Sequence, residues 1–491
     1  MSVRISKSKY CAGVQCLKRL YLLVHSPELF AQPSASDQAI IEQGREVGML
    51  ARRLFPGGVG VCEHSLDLAT RKTRELLRDQ SVPTIFEGVF EHGGVLVRVD
   101  ILHRRQDGRW RLIEVKSTTE VKDHQLDDVA IQCRVLSRSG VDVASACLAH
   151  VNRNYVYQGG DIDVWRFFRI KNLTRRVASL EPKLTFQLRS EFTALSLPQA
   201  PQIAPGRHCV VPITCEFYDR CNPPRPNDHI GYLPRLHASA AEELEEMGVE
   251  SIRDIPDDFD LTDIQRRAAM CVQTGKPWFD RDGLAAKLAT LRYPIAYLDF
   301  ETLNPAIPRC SRMHPFDHLC FQFSLHTQSE PGAALEHREF LATDPGDPRS
   351  EFITSLCSAL PNSGGIVVYS SFESQRLSEL ASSFPEFADR INAIQARLFD
   401  LLPVVREHTY HPAYAGSYSI KSVLSALVPE MTYDGMQVAN GRDAGLAWES
   451  LVRGSLDCGD RERIRKALLD YCGQDTLAMV RLLEMLRAVA M

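Results

Sequence analysis

Residues 95–116 constrain the fold of this chain more than any other stretch, because they alternate as two strands around a tight turn. Val95-Leu-Val-Arg-Val-Asp-Ile-Leu-His103 and Arg109-Trp-Arg-Leu-Ile-Glu-Val-Lys116 flank Gln106-Asp107-Gly108, and an Asp-Gly turn between such runs predicts a β-hairpin. With the turn centred near Asp107, Asp100 falls opposite Glu114. Glu114 and Lys116 are two residues apart, so they project from one face. Two carboxylates and an ammonium then converge. Carboxylate oxygens suit a hard divalent cation such as Mg²⁺ or Mn²⁺, and a lysine beside them can position water or stabilise charge developing on a phosphoryl group. The chemistry expected of such a trio is phosphodiester hydrolysis. Taken alone, the same short motif also describes a surface hairpin with a salt-bridged Glu and Lys.

At 491 residues the chain exceeds one ordinary core, and two or three domains are expected. No apolar run approaches the length of a bilayer span, and Met1 to Lys7 carry no hydrophobic signal core, so a cytoplasmic protein without membrane association is expected. In that setting the 14 cysteines suggest buried thiols and a few metal ligands rather than disulfides. Charge is divided unevenly. Residues 1–225 hold 32 Lys and Arg against 24 Asp and Glu, whereas the remainder holds 25 against 38. Only the first half therefore has the sign of a polyanion binder. Its basic clusters lie at Lys7 to Arg19, Arg71 to Arg78, Arg104-Arg105 and Arg166 to Arg176.

The pattern is α/β in three parts. Residues 1–225 mix helices and strands and end at the Pro-rich Asn222-Pro-Pro-Arg-Pro226; 226–290 read as a helical connector; 291–491 begin with strands and end in one long helix.

Cys209, Cys215 and Cys221 close the first part, and Cys16 lies near its start in Cys16-Leu-Lys-Arg-Leu-Tyr-Leu22. Four thiolates can hold a [4Fe-4S] cluster or a structural zinc, with Cys11 and His208 as alternative ligands. Cys16 before Lys-Arg-Leu-Tyr-Leu, the Asp100 with Glu114-Val-Lys116 core and the closing triplet together resemble the RecB-like PD-(D/E)xK nucleases. The likeness is to their CRISPR-associated and helicase-associated branch with an iron-sulfur cluster, and it covers about 225 residues. It implies a restriction-endonuclease-like domain in which Cys16, Cys209, Cys215 and Cys221 bind the cluster, Asp100 and Glu114 bind metal, and Lys116 is catalytic. Glu87, in Phe86-Glu87-Gly88, and Gln132 fall where that family has supporting residues. Two positions depart from it: Gly48 stands where a metal-binding histidine is usual, and Leu136 where a tyrosine often follows Gln132.

The third part holds a second set of acids. Asp299 and Glu301 end the strand Ile295-Ala-Tyr-Leu-Asp299-Phe-Glu301-Thr302 and share its face, while Tyr471 and Asp475 are four apart on the last helix. Glu373 opens a helix after the strand at Ile366, and Asp400 follows Phe399. Acids from a strand and two helices that meet describe a two-metal site. Asp-x-Glu, then an acid, then Tyr-x-x-x-Asp resembles the tyrosine-containing DnaQ-like (DEDD) 3′-5′ exonucleases on a ribonuclease H-like fold. The resemblance implies Asp299, Glu301 and Asp475 as metal ligands and Tyr471 as the residue orienting water. Glu373 stands where the family has Asp, and its extra methylene could shift a metal by about 1 Å. The two halves in this order also resemble a prokaryotic group in which a RecB-like nuclease is fused to a ribonuclease H-like exonuclease.

The sequence thus leads to the expectation of a Mg²⁺- or Mn²⁺-dependent DNA nuclease with two active sites, acting on single-stranded or frayed DNA. A nucleic-acid clamp with one or both sites inactive, and a ribonuclease, are the alternatives.

Overall fold

The computed structural model describes residues 4–30, 34–454 and 456–491. It is a mixed α/β structure in two compact units, 1–224 with 305–317, and 225–304 with 318–491. Among the described residues, no helix is long and apolar enough to cross a membrane.

The first unit opens with β1 (Ile5–Ser6), α1 (Lys7–Gln15), α2 (Leu17–His25), α3 (Ala35–Arg52), β2 (Val59–Gly60) and α4 (Leu66–Arg78). Strands β3 (Thr84–His92), β4 (Val95–Arg104) and β5 (Trp110–Lys116) follow, then α5 (Asp123–Arg138) and β6 (Val143–Val151). Helix α6 (Val164–Phe167), strand β7 (Phe168–Asn172), α7 (Thr174–Ser179), α8 (Glu181–Leu195) and α9 (Tyr218–Cys221) complete it. The sheet runs β2-β3-β4-β5-β6-β7, with β1 parallel to β4. Helix α5 is the crossover between β5 and β6, which pair in parallel.

The hairpin turn forms because Gly108 takes a φ of +79°, a left-handed value that glycine adopts without steric cost. Pairing from Arg104↔Trp110 to Ile101↔Ile113, carried one step further, sets Asp100 against Glu114. At Asp100 the alternation of β4 changes phase. Val95, Val97, Val99 and Leu102 join one core cluster, whereas Ile101 joins the other. Glu87 faces Asp100 in the β3–β4 register and has a φ of +57°, a costly conformation for a residue with a Cβ, of the kind that concentrates at functional sites.

One face of the sheet packs under α1, α5 and α8, bringing Leu112 and Leu148 against Val129, Leu136 and Leu184. The other packs Ile113, Cys147 and Val151 against Val47 and Phe55, with Ala306 from the 305–317 segment. Each of the Val, Leu, Ile and Phe side chains among them contributes about 1.5–3 kcal/mol by leaving water.

The second unit begins with α10 (Ala238–Glu246), α11 (Asp263–Thr274), β8 (Trp278–Phe279) and α12 (Arg281–Leu288). A five-stranded sheet is built from β9 (Ile295–Leu303), β10 (Leu319–Gln328), β11 (Glu336–Leu341), β12 (Gly365–Val368) and β13 (Leu398–Asp400), in the order β11-β10-β9-β12-β13. Between these strands lie α13 (Arg349–Ala359), α14 (Phe372–Ser383) and α15 (Ala388–Gln395). After them come α16 (Leu401–His408), β14 (Thr409–Tyr410), α17 (Ile420–Leu427), α18 (Gly441–Arg453) and α19 (Cys458–Ala490). Strand β9 is central, antiparallel to β10 and parallel to β12. Ala296, Leu298 and Phe300 face the core of α13, α14 and α15. Ile295 and Tyr297 face the opposite way, into a core shared with Leu482 and Leu483 of α19. By period two, Asp299 and Glu301 point to that second side. Residues 226–290, set apart in the sequence as a connector, add Ile230, Leu244, Ile252 and Leu284 to this same core.

Candidate active sites

Helix α1 begins where it does because Ser6 caps it, its Oγ accepting from Lys9 N–H at 3.3 Å. That start puts Lys7 at a helix N-terminus, where positive charge is disfavoured, and nearby acids offset the cost. Lys7 Nζ lies 2.7 Å from Glu114 Oε1 and 3.7 Å from Asp128 Oδ1. Lys116 Nζ lies 2.8 Å from the same Glu114 oxygen and also donates to Asp128. Gln132 Nε2 donates to Glu114 Oε2 at 2.7 Å. Glu114 is 1% exposed. Burial opposes its ionisation, but Lys7 and Lys116 outweigh burial and hold its carboxyl well below the usual range. Asp100 accepts Val115 N–H at 2.7 Å, and burial together with the Glu114 charge pushes its carboxyl up to about 7.

Asp100, Glu114, Lys116 and Gln132 thus meet on the α5 side of the sheet. Glu87 is turned away: its carboxylate takes Arg52 at 2.9 Å. Gly48 lies on α3 with open space where a Cβ would stand, and Leu136 is buried in the core beneath α5. Sequence reasoning missed Lys7 and Asp128. Asp128 was within reach, since it lies four residues before Gln132 and hence on the same helix face; for Lys7 only its membership of a basic cluster stood out.

The cysteines Cys16, Cys209, Cys215 and Cys221 line one small pocket with Leu22 and Phe217. The α1–α2 junction is fastened to that loop by Gln15, whose amide donates to His208 O at 2.6 Å and Ile213 O at 2.8 Å. Arg19 adds two bonds of 2.7 Å to the Glu216 carboxylate, a bidentate, charge-assisted pair. His208 also lines the pocket. Cys11 does not belong to it, its Sγ lying 3.7 Å from Asp128.

In the second unit, Asp299, Glu301 and Cys472 bring one donor atom each within 4.8 Å of one another. Cys472 Sγ is 3.5 Å from Asp299 Oδ2. It sits three residues before Asp475 on α19, the spacing that puts both on one face. Asp475 accepts from Tyr433 Oη at 2.6 Å, and Lys421 Nζ lies 4.6 Å and 5.1 Å from the ring centres of Tyr433 and Tyr471. Glu373 is 3% exposed, and its Oε2 is a buried acceptor without a hydrogen bond. Asp400 serves elsewhere, its Oδ1 accepting from Ser370 N–H at 2.8 Å and Leu402 N–H at 2.9 Å to cap α16.

These acids oppose one another electrostatically. Burial raises the Asp299 carboxyl well above its usual range, and the charges of Asp475, Glu301 and Glu373 add to the shift. Glu301 is raised by burial, Asp475 and Glu373, against the pull of Lys421. Burial takes Glu373 to about 8, and Asp475 is raised as well. Carboxylates packed so closely require protons or cations between them. Tyr433 and Lys421 carried no signal in the sequence, because only tertiary packing brings them to α19.

Residues 296–419 match a domain of unknown function, DUF2779. No curated protein matches the chain.

Proposed function

We propose that the chain is a metal-dependent DNA nuclease with two active sites, a RecB-like PD-(D/E)xK site in the first unit and a DnaQ-like 3′-5′ exonuclease site on a ribonuclease H-like fold in the second. The observation that carries this reading is the clustering of Asp299 and Glu301 on a central strand with Glu373 and Asp475 from two helices, all four raised by burial and the first three raised further by neighbouring acids.

The donor set fits hard divalent cations. Asp299, Glu301 and Asp475 would hold Mg²⁺ or Mn²⁺, with the orphaned Oε2 of Glu373 in reserve. When bound, such ions supply activated water and stabilise the leaving oxygen. Tyr433 fixes Asp475, Tyr471 presents its phenol beside that acid to orient the attacking water, and Lys421 offers positive charge to a phosphate. In the first unit Asp100 and Glu114 would take a cation, with Gln132 fixing Glu114 and Lys116 positioned to meet a developing negative charge. Cys16, Cys209, Cys215 and Cys221 would hold a [4Fe-4S] cluster, or alternatively a structural zinc, that ties the α1–α2 junction to the 207–221 loop.

A second reading, a nucleic-acid clamp, draws support from the first site. Both oxygens of Glu114 already accept from Lys7, Lys116 and Gln132, so a cation there must displace an ammonium.

Digestion of 5′-labelled single- and double-stranded DNA with Mg²⁺ or Mn²⁺ tests the proposal. Lys116→Ala and Asp299→Ala should each remove one separable activity, and the double variant both. Digestion unchanged in both single variants would overturn it. Binding without cleavage by the wild type would favour the clamp, and preference for RNA in competition would make the protein a ribonuclease.

A further inference from the structure

The sheet of the first unit carries cations both at its acid site and at its free edge. Glu114 pairs with Leu148, and Leu148 with Lys171; Lys116 pairs with His150, and His150 with Arg169. Paired residues project from the same face. Phe168 and Ile170 pack into the core on the opposite side, which leaves Arg169 and Lys171 on the α5 face with Glu114 and Lys116. With strands about 4.8 Å apart, the two edge cations stand roughly 10 Å from the acid site.

Both are exposed, and among the described residues neither has an acidic partner within ion-pair distance. Their neighbours differ in this. Arg176 pairs with Asp123, and Arg134 with Glu181. Immediately before β7, Trp165 is 66% exposed, held in place by the Asp163 cap, whose Oδ1 accepts from Trp165 N–H at 3.1 Å. A large indole left in water, four residues before Arg169 in the chain, has no packing role; it offers a flat surface to another flat surface.

We infer that this edge binds single-stranded DNA, with Arg169 and Lys171 contacting the phosphates and Trp165 stacking on a base, so that the strand is held at the sheet edge two strands away from Glu114 and Lys116. Aromatic stacking among cations is how sequence-tolerant single-strand binders work. The inference rests on the nucleic-acid reading above and adds to it the surface that holds the strand.

Fluorescence anisotropy of a labelled single-stranded oligonucleotide, measured in EDTA on the full chain carrying Lys116→Ala and Asp299→Ala, tests it across a salt series. Arg169→Ala with Lys171→Ala should reduce the steepness of the log–log salt dependence by about 1.4, at roughly 0.7 per lost phosphate contact. Trp165→Ala should weaken binding by about 5- to 150-fold with the salt dependence kept. Wild-type affinity and salt dependence in all these variants would overturn the inference, as would losses confined to RNA or to duplex DNA. The two proposals fail separately. Edge-dependent binding by a protein that never cleaves removes the nuclease reading alone, whereas cleavage with edge-independent binding removes this inference alone.

Discussion

Lys7 Nζ lies 2.7 Å from Glu114 Oε1, an ion pair between residues 107 apart in the chain. Lys116 shares that oxygen, so the cation proposed for this site would have to compete with Lys7 for it. Lys7→Met should destabilise the metal-free protein by about 2 kcal/mol, the scale of one hydrogen bond to a charged group. It should also increase the thermal stabilisation gained on adding Mn²⁺, because the competing cation is gone. Melting curves with and without Mn²⁺ decide the matter; an equal Mn²⁺ shift in wild type and variant would show that Lys7 does not compete.

Tyr433 supplies the 2.6 Å hydrogen bond that holds Asp475. Tyr433→Phe keeps the ring and removes the donor, so the exonuclease activity proposed above, measured in a Lys116→Ala background, should fall about tenfold, equivalent to about 1.4 kcal/mol of barrier. Cleavage measured in an Asp299→Ala background should not change. Equal losses in both backgrounds would point to general unfolding instead.

Glu191 provides a pH signature away from both sites. It is 0% exposed, and it lies so close to Gly13 that a Cβ there would stand 2.5 Å from its Oε1. Burial pushes its carboxyl from 4.5 to about 8. Between those values the folded protein keeps a proton that the unfolded chain releases. The unfolded state therefore binds fewer protons, and stability should fall as pH rises across this window, by up to about 1.4 kcal/mol per pH unit. Glu191→Gln should flatten that decline in denaturant midpoints; a decline of the same slope in the variant would assign it to other groups.

Cys16 is the one pocket cysteine from the start of the chain. With the [4Fe-4S] cluster proposed for this pocket, Cys16→Ser should lower the iron content of anaerobically purified protein, bleach its visible colour and depress the melting temperature, because metal-site free energy is folding free energy. One zinc per chain in wild type, with no iron, would replace the cluster by a structural zinc.

Much of this arrangement was legible because it depends on short-range geometry. Period two places Glu114 with Lys116 and Asp299 with Glu301, a four-residue helical step places Tyr471 with Asp475, and Asp107-Gly108 sets the hairpin register. What was not legible depends on dihedral choice or on distant packing. Glu87 was expected beside the acids, but its left-handed backbone delivers its carboxylate to Arg52. Lys7 directly follows β1, whose pairing with the distant β4 brings it to the sheet that carries Glu114. Residues 226–290 read as a helical connector short of core, because the core that Ile230, Leu244, Ile252 and Leu284 join is completed by the distant α16 and α19.

The segment 305–317 belongs to the first unit although β9 precedes it in the chain. Ala306 is fully buried there, Tyr157 N–H donates to Met313 O at 2.9 Å, and Arg309 reaches Glu46 at 3.1 Å. On the ribosome, therefore, the first unit cannot finish folding when residue 224 emerges. It must wait for nearly a hundred further residues, during which Val47, Phe55 and their neighbours lack one of their covers and are open to chaperones.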